Sequence, residues 1–367
     1  VKLLVWHWGR RGAGPIFAVH LRDALLALGF ETALSLAEGA EILAPPSIVQ
    51  CDWAEPTYAN AADYLLQRTA SLLPSRRCFA HLKRISADLA ICAMPALLDI
   101  RMLRALRQSA IPYAVLVHDA AAHPGDGLSF RLLGQSRLLR DACVLFALSS
   151  HVADQLREQG FGKNGQAILR LWHPPFDFGS MKPAFAHGGK PRLLSFGRLL
   201  PYKGLDLLAD ALTALGPVLP FDVRICGDGP VSDELARLRA LPGVEVDHRW
   251  IPETELPGLI EWSDAVVLPY REASQSGVAA AAIGQGRLVV ATNVGGLPEQ
   301  LANIPGAVLC EPDAASIAEA LLQIKPPAIQ SLVRNAEADW REMAGRMVEA
   351  LKKESSSFLK KRTKKLL

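Results

Sequence analysis

Residues 195–204 read Ser-Phe-Gly-Arg-Leu-Leu-Pro-Tyr-Lys-Gly, which sets Arg198 and Lys203 five positions apart between an apolar strand and a helix. A guanidinium and an ammonium on such a loop can share one diphosphate, the first as a planar fork and the second as a point charge. Taken alone, the pair reads equally as two solvated bases on a surface loop. Glycine-containing turns follow. Cys226-Gly227-Asp228-Gly229-Pro230 closes the next strand, where Gly227 and Gly229 permit a tight turn and a close backbone approach. Ser276-Gly277 opens a helix over Val278–Gln285, whose first N–H groups and dipole suit a phosphate. Gly295-Gly296 offers a second backbone approach shortly before Glu299.

The N-terminal half carries fewer such signals. His118-Asp119 ends the apolar run Tyr113–Val117, at the strand terminus where open α/β sheets bind ligands. A surface histidine capping a turn with Asp119 is the plain alternative. Gly12 and Gly14 follow the first strand in Trp8-Gly-Arg-Arg-Gly-Ala-Gly-Pro15. Their Gly-x-Gly spacing also occurs in dinucleotide folds, but the third glycine of that fingerprint is missing. The other eight of the nine histidines show no metal spacing and read as structural. Asp-x-Asp, a pattern suited to a divalent cation on a diphosphate, occurs nowhere. Neither a metal nor another cofactor is expected.

These residues need elements to hold them. A chain of 367 residues exceeds the usual size of one hydrophobic core, so two domains are expected. Short apolar runs alternate with helical patterns throughout: Lys2–Trp6, Glu31–Leu36, Asp88–Ala93 and Val144–Ser149 in the first half, then Arg192–Phe196, Asp222–Cys226, Ala265–Pro269 and Leu288–Ala291. Such alternation predicts α/β architecture with parallel sheets covered on both faces. Residues 173–191 are rich in Pro and Gly without periodicity and read as a linker. The expected division is therefore 1–172, the linker, 192–350 and a tail at 351–367, with the last helix free to pack back on the N-terminal domain. The functional site is expected in a cleft between the two domains.

Phe196-Gly-Arg-x3-Tyr-Lys-Gly204 resembles the donor-site signature of glycosyltransferase family four, the retaining enzymes of GT-B fold. Cys226–Pro230, Gly284–Thr292 and Gly295–Glu299 resemble that family's later motifs in the same order. The resemblance covers most of residues 192–312. It implies two Rossmann-like domains facing across a cleft and transfer of a sugar from a nucleoside-diphosphate-sugar to a glycan or lipid-linked acceptor. It gives Arg198 and Lys203 the leaving diphosphate, His118 the transferred sugar, and Gly12 and Gly14 the acceptor side. Glu272 stands near the first of the family's two glutamates, one position off the strict spacing, and Ala281 replaces the second. That substitution removes an expected ribose contact. A sugar-nucleotide epimerase and a non-catalytic partner subunit, both of GT-B fold, are the alternatives.

The net charge of +3 conceals an asymmetry. Residues 351–367 hold seven bases and one acid, so the tail is +6 and the remainder −3. The body has no electrostatic footprint for nucleic acid. The tail interleaves its charge with Leu351, Phe358, Leu359, Leu366 and Leu367, which suggests an anionic membrane surface. The start of the chain has no signal-peptide layout, so a cytoplasmic protein, at the cytoplasmic face of the membrane if the tail acts, is expected.

Overall fold

The computed structural model describes residues 1–58, 60–70, 75–125, 135–163, 165–179, 182–325 and 335–363. The chain forms two units, one of Val1–Ala122, Gly127–Trp172 and Glu337–Leu367, the other of His123–Asp126 and His173–Ala336.

The first unit runs β1 (Lys2–His7), α1 (Ala13–Ala27), β2 (Glu31–Ala37), β3 (Trp53–Glu55), α2 (Ala61–Ala70), α3 (Arg76–Ile85), β4 (Leu89–Cys92), α4 (Ile100–Gln108), β5 (Tyr113–Val117), α5 (Gln135–Asp141), β6 (Val144–Ala147), α6 (Ser150–Glu158) and β7 (Ala167–Arg170). Its strands pair in parallel in the order β3-β2-β1-β4-β5-β6-β7. Strands β4, β5 and β6 are buried along their whole length, which explains their unbroken apolar sequences. Ser75 and Ser149 start α3 and α6 by accepting from the N–H groups of Cys78 and Val152, both at 3.2 Å. The short strand β3 has no counterpart among the predicted strands. It is held through Trp53, which is buried, stacks on His81 at 4.8 Å and donates to Glu55 at 3.0 Å.

The second unit runs β8 (Arg192–Phe196), α7 (Leu205–Ala214), β9 (Asp222–Gly227), α8 (Asp233–Ala240), β10 (Val244–His248), α9 (Leu256–Trp262), β11 (Ala265–Leu268), α10 (Gly277–Gly284), β12 (Leu288–Thr292), α11 (Leu297–Leu301), β13 (Ala307–Cys310) and α12 (Ala314–Leu322). Its parallel order is β10-β9-β8-β11-β12-β13. Residues 173–191 lack regular elements, yet their described part is fastened to this unit. The buried Asp264 carboxylate accepts from the N–H groups of Phe185 and Arg192 at 2.5 and 2.8 Å. Phe176 donates to Ala280 at 3.0 Å, and a Cβ at Gly284 would lie 1.8 Å from the Phe176 carbonyl oxygen. Only glycine lets that segment reach α10.

The last helix, α13 (Ala336–Thr363), packs almost wholly with the first unit. Its buried stripe is Trp340, Met343, Ala344, Met347 and Leu351, the spacing of one helical face. Trp340 meets Phe17 edge-on at 4.7 Å and stacks on His20 at 5.2 Å, which fixes α13 to α1. Side chains beyond residue 354 lie outside the described residues, and so does the greater part of the tail on which a membrane surface is expected. Among the described residues no helix is long and apolar enough to cross a membrane. All six cysteines are free thiols, and burial pushes Cys143 and Cys226 up to about 11.

Because Trp340 is 2% exposed and joins α13 to α1, Trp340→Ala is expected to cost about 3–5 kcal/mol of stability. Urea unfolding of the full chain measures it; a loss below about 1 kcal/mol refutes the anchoring role.

Candidate active site

Ligands of open parallel sheets bind beyond the strand carboxyl ends, where neighbouring strands send their chains to opposite sides. In the second unit that point lies between β8 and β11, because β9 and β10 follow on one side and β12 and β13 on the other. Arg198 and Lys203 leave β8, Glu272 and Ser276 leave β11, Gly227 and Gly229 leave β9, and Gly295, Gly296 and Glu299 leave β12.

Backbone contacts draw these four exits together. Gly197 donates to Cys226 at 3.0 Å and Leu199 to Asp228 at 2.8 Å, joining the β8 and β9 loops. Arg271 donates to Tyr202 at 2.8 Å, joining β8 to β11, and Gly296 donates to Ala273 at 2.9 Å, joining β11 to β12. The glycines make this possible. A Cβ at Gly227 would sit 1.8 Å from the Gly197 carbonyl oxygen, and one at Gly295 would sit 1.8 Å from that of Ala273. The backbone approach expected of these glycines is thus made by the protein's own neighbouring loops.

Two tyrosines hold the cations. Arg198 is exposed and donates from Nη2 to the Tyr202 hydroxyl at 3.0 Å. Lys203 sits in the single 3-10 turn Pro201–Lys203, its Nζ 3.7 Å from the centre of the Tyr270 ring and 5.0 Å from that of Tyr202. A cation on an aromatic face is attracted by the negative face of the ring. Burial raises the Tyr270 phenol above its ordinary value, so it stays neutral at physiological pH.

The start of α10 is partly occupied. The Ser276 side chain accepts from Ala279 at 3.2 Å, and the Ser276 N–H donates to the Gln300 side chain at 2.9 Å. The Ser276 N–H and side-chain oxygen are thus engaged within the protein, by Gln300 and Ala279. Gln300 also donates to the Ser276 carbonyl at 3.0 Å, so it clamps that peptide from α11, a role the sequence does not announce. Glu272 is exposed and lies 3.6 Å from the His123 ring. Ala281 is buried in α10, and no carboxylate stands at that position.

In the first unit the corresponding switch lies between β1 and β4. His118 follows β5 and is 2% exposed, so it is not a surface cap. Its Nε2 donates to the Ala93 carbonyl at 3.0 Å, and its ring meets Phe17 at 4.8 Å. His7, which sequence reasoning passed over, ends β1, and its Nδ1 donates to the Met94 carbonyl at 2.8 Å. Since β4 lies between β1 and β5, the two rings grip consecutive carbonyls of its exit from either side. Gly12 begins α1 in the left-handed region, and Gly14 backs onto His7, whose Nε2 would lie 2.3 Å from a Cβ there. The signal that could have found His7 is its place at a strand terminus, shared with His118. Desolvation lowers both histidines to about 4, so both rings are neutral at pH 7.

Residues 190–325 match the family model described as Glycosyl transferases group 1. The match lies wholly within the second unit. A Mycobacterium tuberculosis glycogen synthase is 32% identical over 233 residues, covering 57% of this chain and 54% of that protein. The chain thus spans about half the length of the curated relatives it matches. Among solved structures, the catalytic domain of Arabidopsis thaliana Starch Synthase IV bound to ADP and acarbose superposes with a TM-score of 0.66 at 13% identity, covering 97% of this chain and 99% of that one. Anabaena Alr3699/HepE in complex with UDP-glucose gives 0.63 at 15% identity, covering 98% and 99%. The fold is GT-B. The matched residues include Arg198, Lys203, Gly227, Gly229, Gly295 and Gly296.

The buried titratable groups predict an acid limb. Between about pH 4 and 6.5 the unfolded chain protonates His7 and His118 while the fold does not, so stability rises with pH across that window. Asp99, raised by burial from 3.8 to about 7, opposes them because the fold keeps its proton as the pH rises. Two rising contributions outweigh one falling. His118→Phe is expected to remove about 1.4 kcal/mol per pH unit from the slope. Urea unfolding from pH 4.5 to 6.5 tests this, and an unchanged slope refutes it.

Proposed function

We propose that the protein is a retaining glycosyltransferase that moves a sugar from a nucleoside-diphosphate-sugar to a hydroxyl of a glycan or lipid-linked acceptor. The observation that carries the reading is the pair Arg198 and Lys203, held on Tyr202 and Tyr270 at the switch point of a group 1 domain. In the transfer, the bond from the sugar anomeric carbon to the diphosphate oxygen breaks and a bond to the acceptor oxygen forms. The acceptor proton passes to the departing diphosphate. Arg198 and Lys203 neutralise the negative charge that develops on that leaving group, so this role does not need a metal. The N–H groups of Gly277 and Val278 add backbone donors. His118 contacts the transferred sugar as a neutral imidazole, and Gly12 and Gly14 belong to the acceptor side.

A non-catalytic partner subunit is the second reading, favoured by Ala281 in place of a carboxylate. Arg198→Ala and Lys203→Ala separate the two. Each removes a charge-assisted contact worth about 1.5–3 kcal/mol, so each is expected to weaken nucleoside diphosphate binding about tenfold to a hundredfold and to stop transfer. Calorimetry and product analysis measure both effects. Normal turnover in both variants refutes the donor site; diphosphate binding without any sugar transfer or donor hydrolysis favours the subunit.

We also propose that the basic tail binds an anionic membrane surface, where each Lys or Arg contributes about 1 kcal/mol. Support comes from its +6 charge and from its continuity with α13, whose Trp340 and Met347 are buried. Full-length protein is expected to sediment with phosphatidylserine vesicles at low salt, and a chain ending at Ala350 to stay in solution. Equal sedimentation of the two excludes the tail.

A further inference from the structure

We propose that His123 is a positioning residue of the diphosphate loop: stacked on Tyr202, it holds Arg198 and Lys203 in the arrangement that takes a diphosphate. The inference rests on the donor-site reading above and adds to it a residue from the first half of the sequence. His123 follows β5, five positions after His118, yet it packs with the second unit.

Three contacts fix the ring. Its face stacks on Tyr202 with centroids 4.7 Å apart and planes at 20°. Its Nδ1 lies 3.6 Å from a Glu272 carboxylate oxygen, and its Nε2 lies 3.5 Å from the Ser274 hydroxyl. The side chain is only 10% exposed. Gly125 continues the same packing, since a Cβ there would meet the Pro201 ring at 2.9 Å. Residues 123–125 thus lie along the turn that separates Arg198 from Lys203.

That turn needs support from outside itself. Pro201–Lys203 is one 3-10 turn, too short for a helical hydrogen-bond ladder. Tyr202 is its one buried residue and carries both cations, Arg198 by a hydrogen bond at 3.0 Å and Lys203 by its ring at 5.0 Å. Tyr270 meets Tyr202 edge-on at 6.3 Å, while His123 covers a ring face. Removing the imidazole uncovers that face and lets the tyrosine, with its cations, leave the shared position. Glu272 and Ser274 hold the ring edges, so the β11 exit is tied to the same support. The role is one of positioning, because the ring touches the loop that binds and not the phosphate.

The test compares UDP, ADP and GDP with UMP, AMP and GMP by calorimetry on the full chain, together with thermal unfolding of each variant. His123→Ala is expected to weaken the diphosphate about five- to tenfold, the scale of one lost aromatic pair, and to leave the matching monophosphate within about twofold. His123→Phe keeps a flat ring on Tyr202 and is expected to restore the diphosphate to within about twofold of wild type. If His123→Ala leaves diphosphate affinity unchanged while Arg198→Ala weakens it about tenfold or more, the donor site stands and the role of His123 falls. Equal losses for mono- and diphosphate overturn it, as does a Phe variant as weak as the Ala variant. If the wild type binds no nucleoside diphosphate, the donor-site reading fails and takes this inference with it.

Discussion

The Gly197 carbonyl fills the space that a side chain at Gly227 would need, and much of the second unit's active edge depends on that contact. It lets the loops after β8 and β9 run against each other with backbone hydrogen bonds at 2.8 and 3.0 Å. Gly295 does the same for the loops after β11 and β12. Four strand exits therefore behave as one connected rim, and the side chains on them inherit its geometry. A bulkier residue at Gly227 would push the β8 loop away and move Arg198 and Tyr202 with it. Glycine here serves the protein's own packing first, and any ligand geometry follows from that packing.

The two units treat charge in opposite ways. In the first, His7 and His118 are almost fully buried, and desolvation keeps both rings uncharged. Their N–H groups are committed to the carbonyls after β4, so their tautomers are set by the backbone. In the second, Arg198 is exposed and Lys203 half-buried, both against tyrosines. A neutral imidazole suits hydroxyl groups, whereas paired cations suit a diphosphate.

Much of this was legible in the sequence because parallel strands buried on both faces read as unbroken apolar runs. Each of β8, β9, β11 and β12 coincides with such a run to within about two residues, the ordinary uncertainty of strand ends. The donor motifs were legible because Arg198, Lys203 and the glycines all lie at strand exits. β3 was not, since three residues give no periodicity and its stability comes from Trp53 meeting His81 and Glu55 across the fold. His7 was missed because a single histidine after an apolar strand looks the same whether it is inert packing or grips a neighbouring strand's exit. The clamp from Gln300 to Ser276 and the stack of His123 on Tyr202 join residues 24 and 79 positions apart, and no local pattern encodes such pairs.

The arrangement around Tyr202 explains how a short loop can be ready for a highly charged ligand before it arrives. Two free cations on a flexible loop would repel each other and lose side-chain entropy on binding. Here Arg198 donates to the Tyr202 hydroxyl and Lys203 rests on the face of the Tyr270 ring. At the same rim, Asp206 pairs with Arg271 and Glu272 lies beside His123. The aromatic support limits the wandering of both side chains. On the donor-site reading proposed above, charge-assisted hydrogen bonds from these two side chains to a diphosphate supply the energy that stabilises the leaving group.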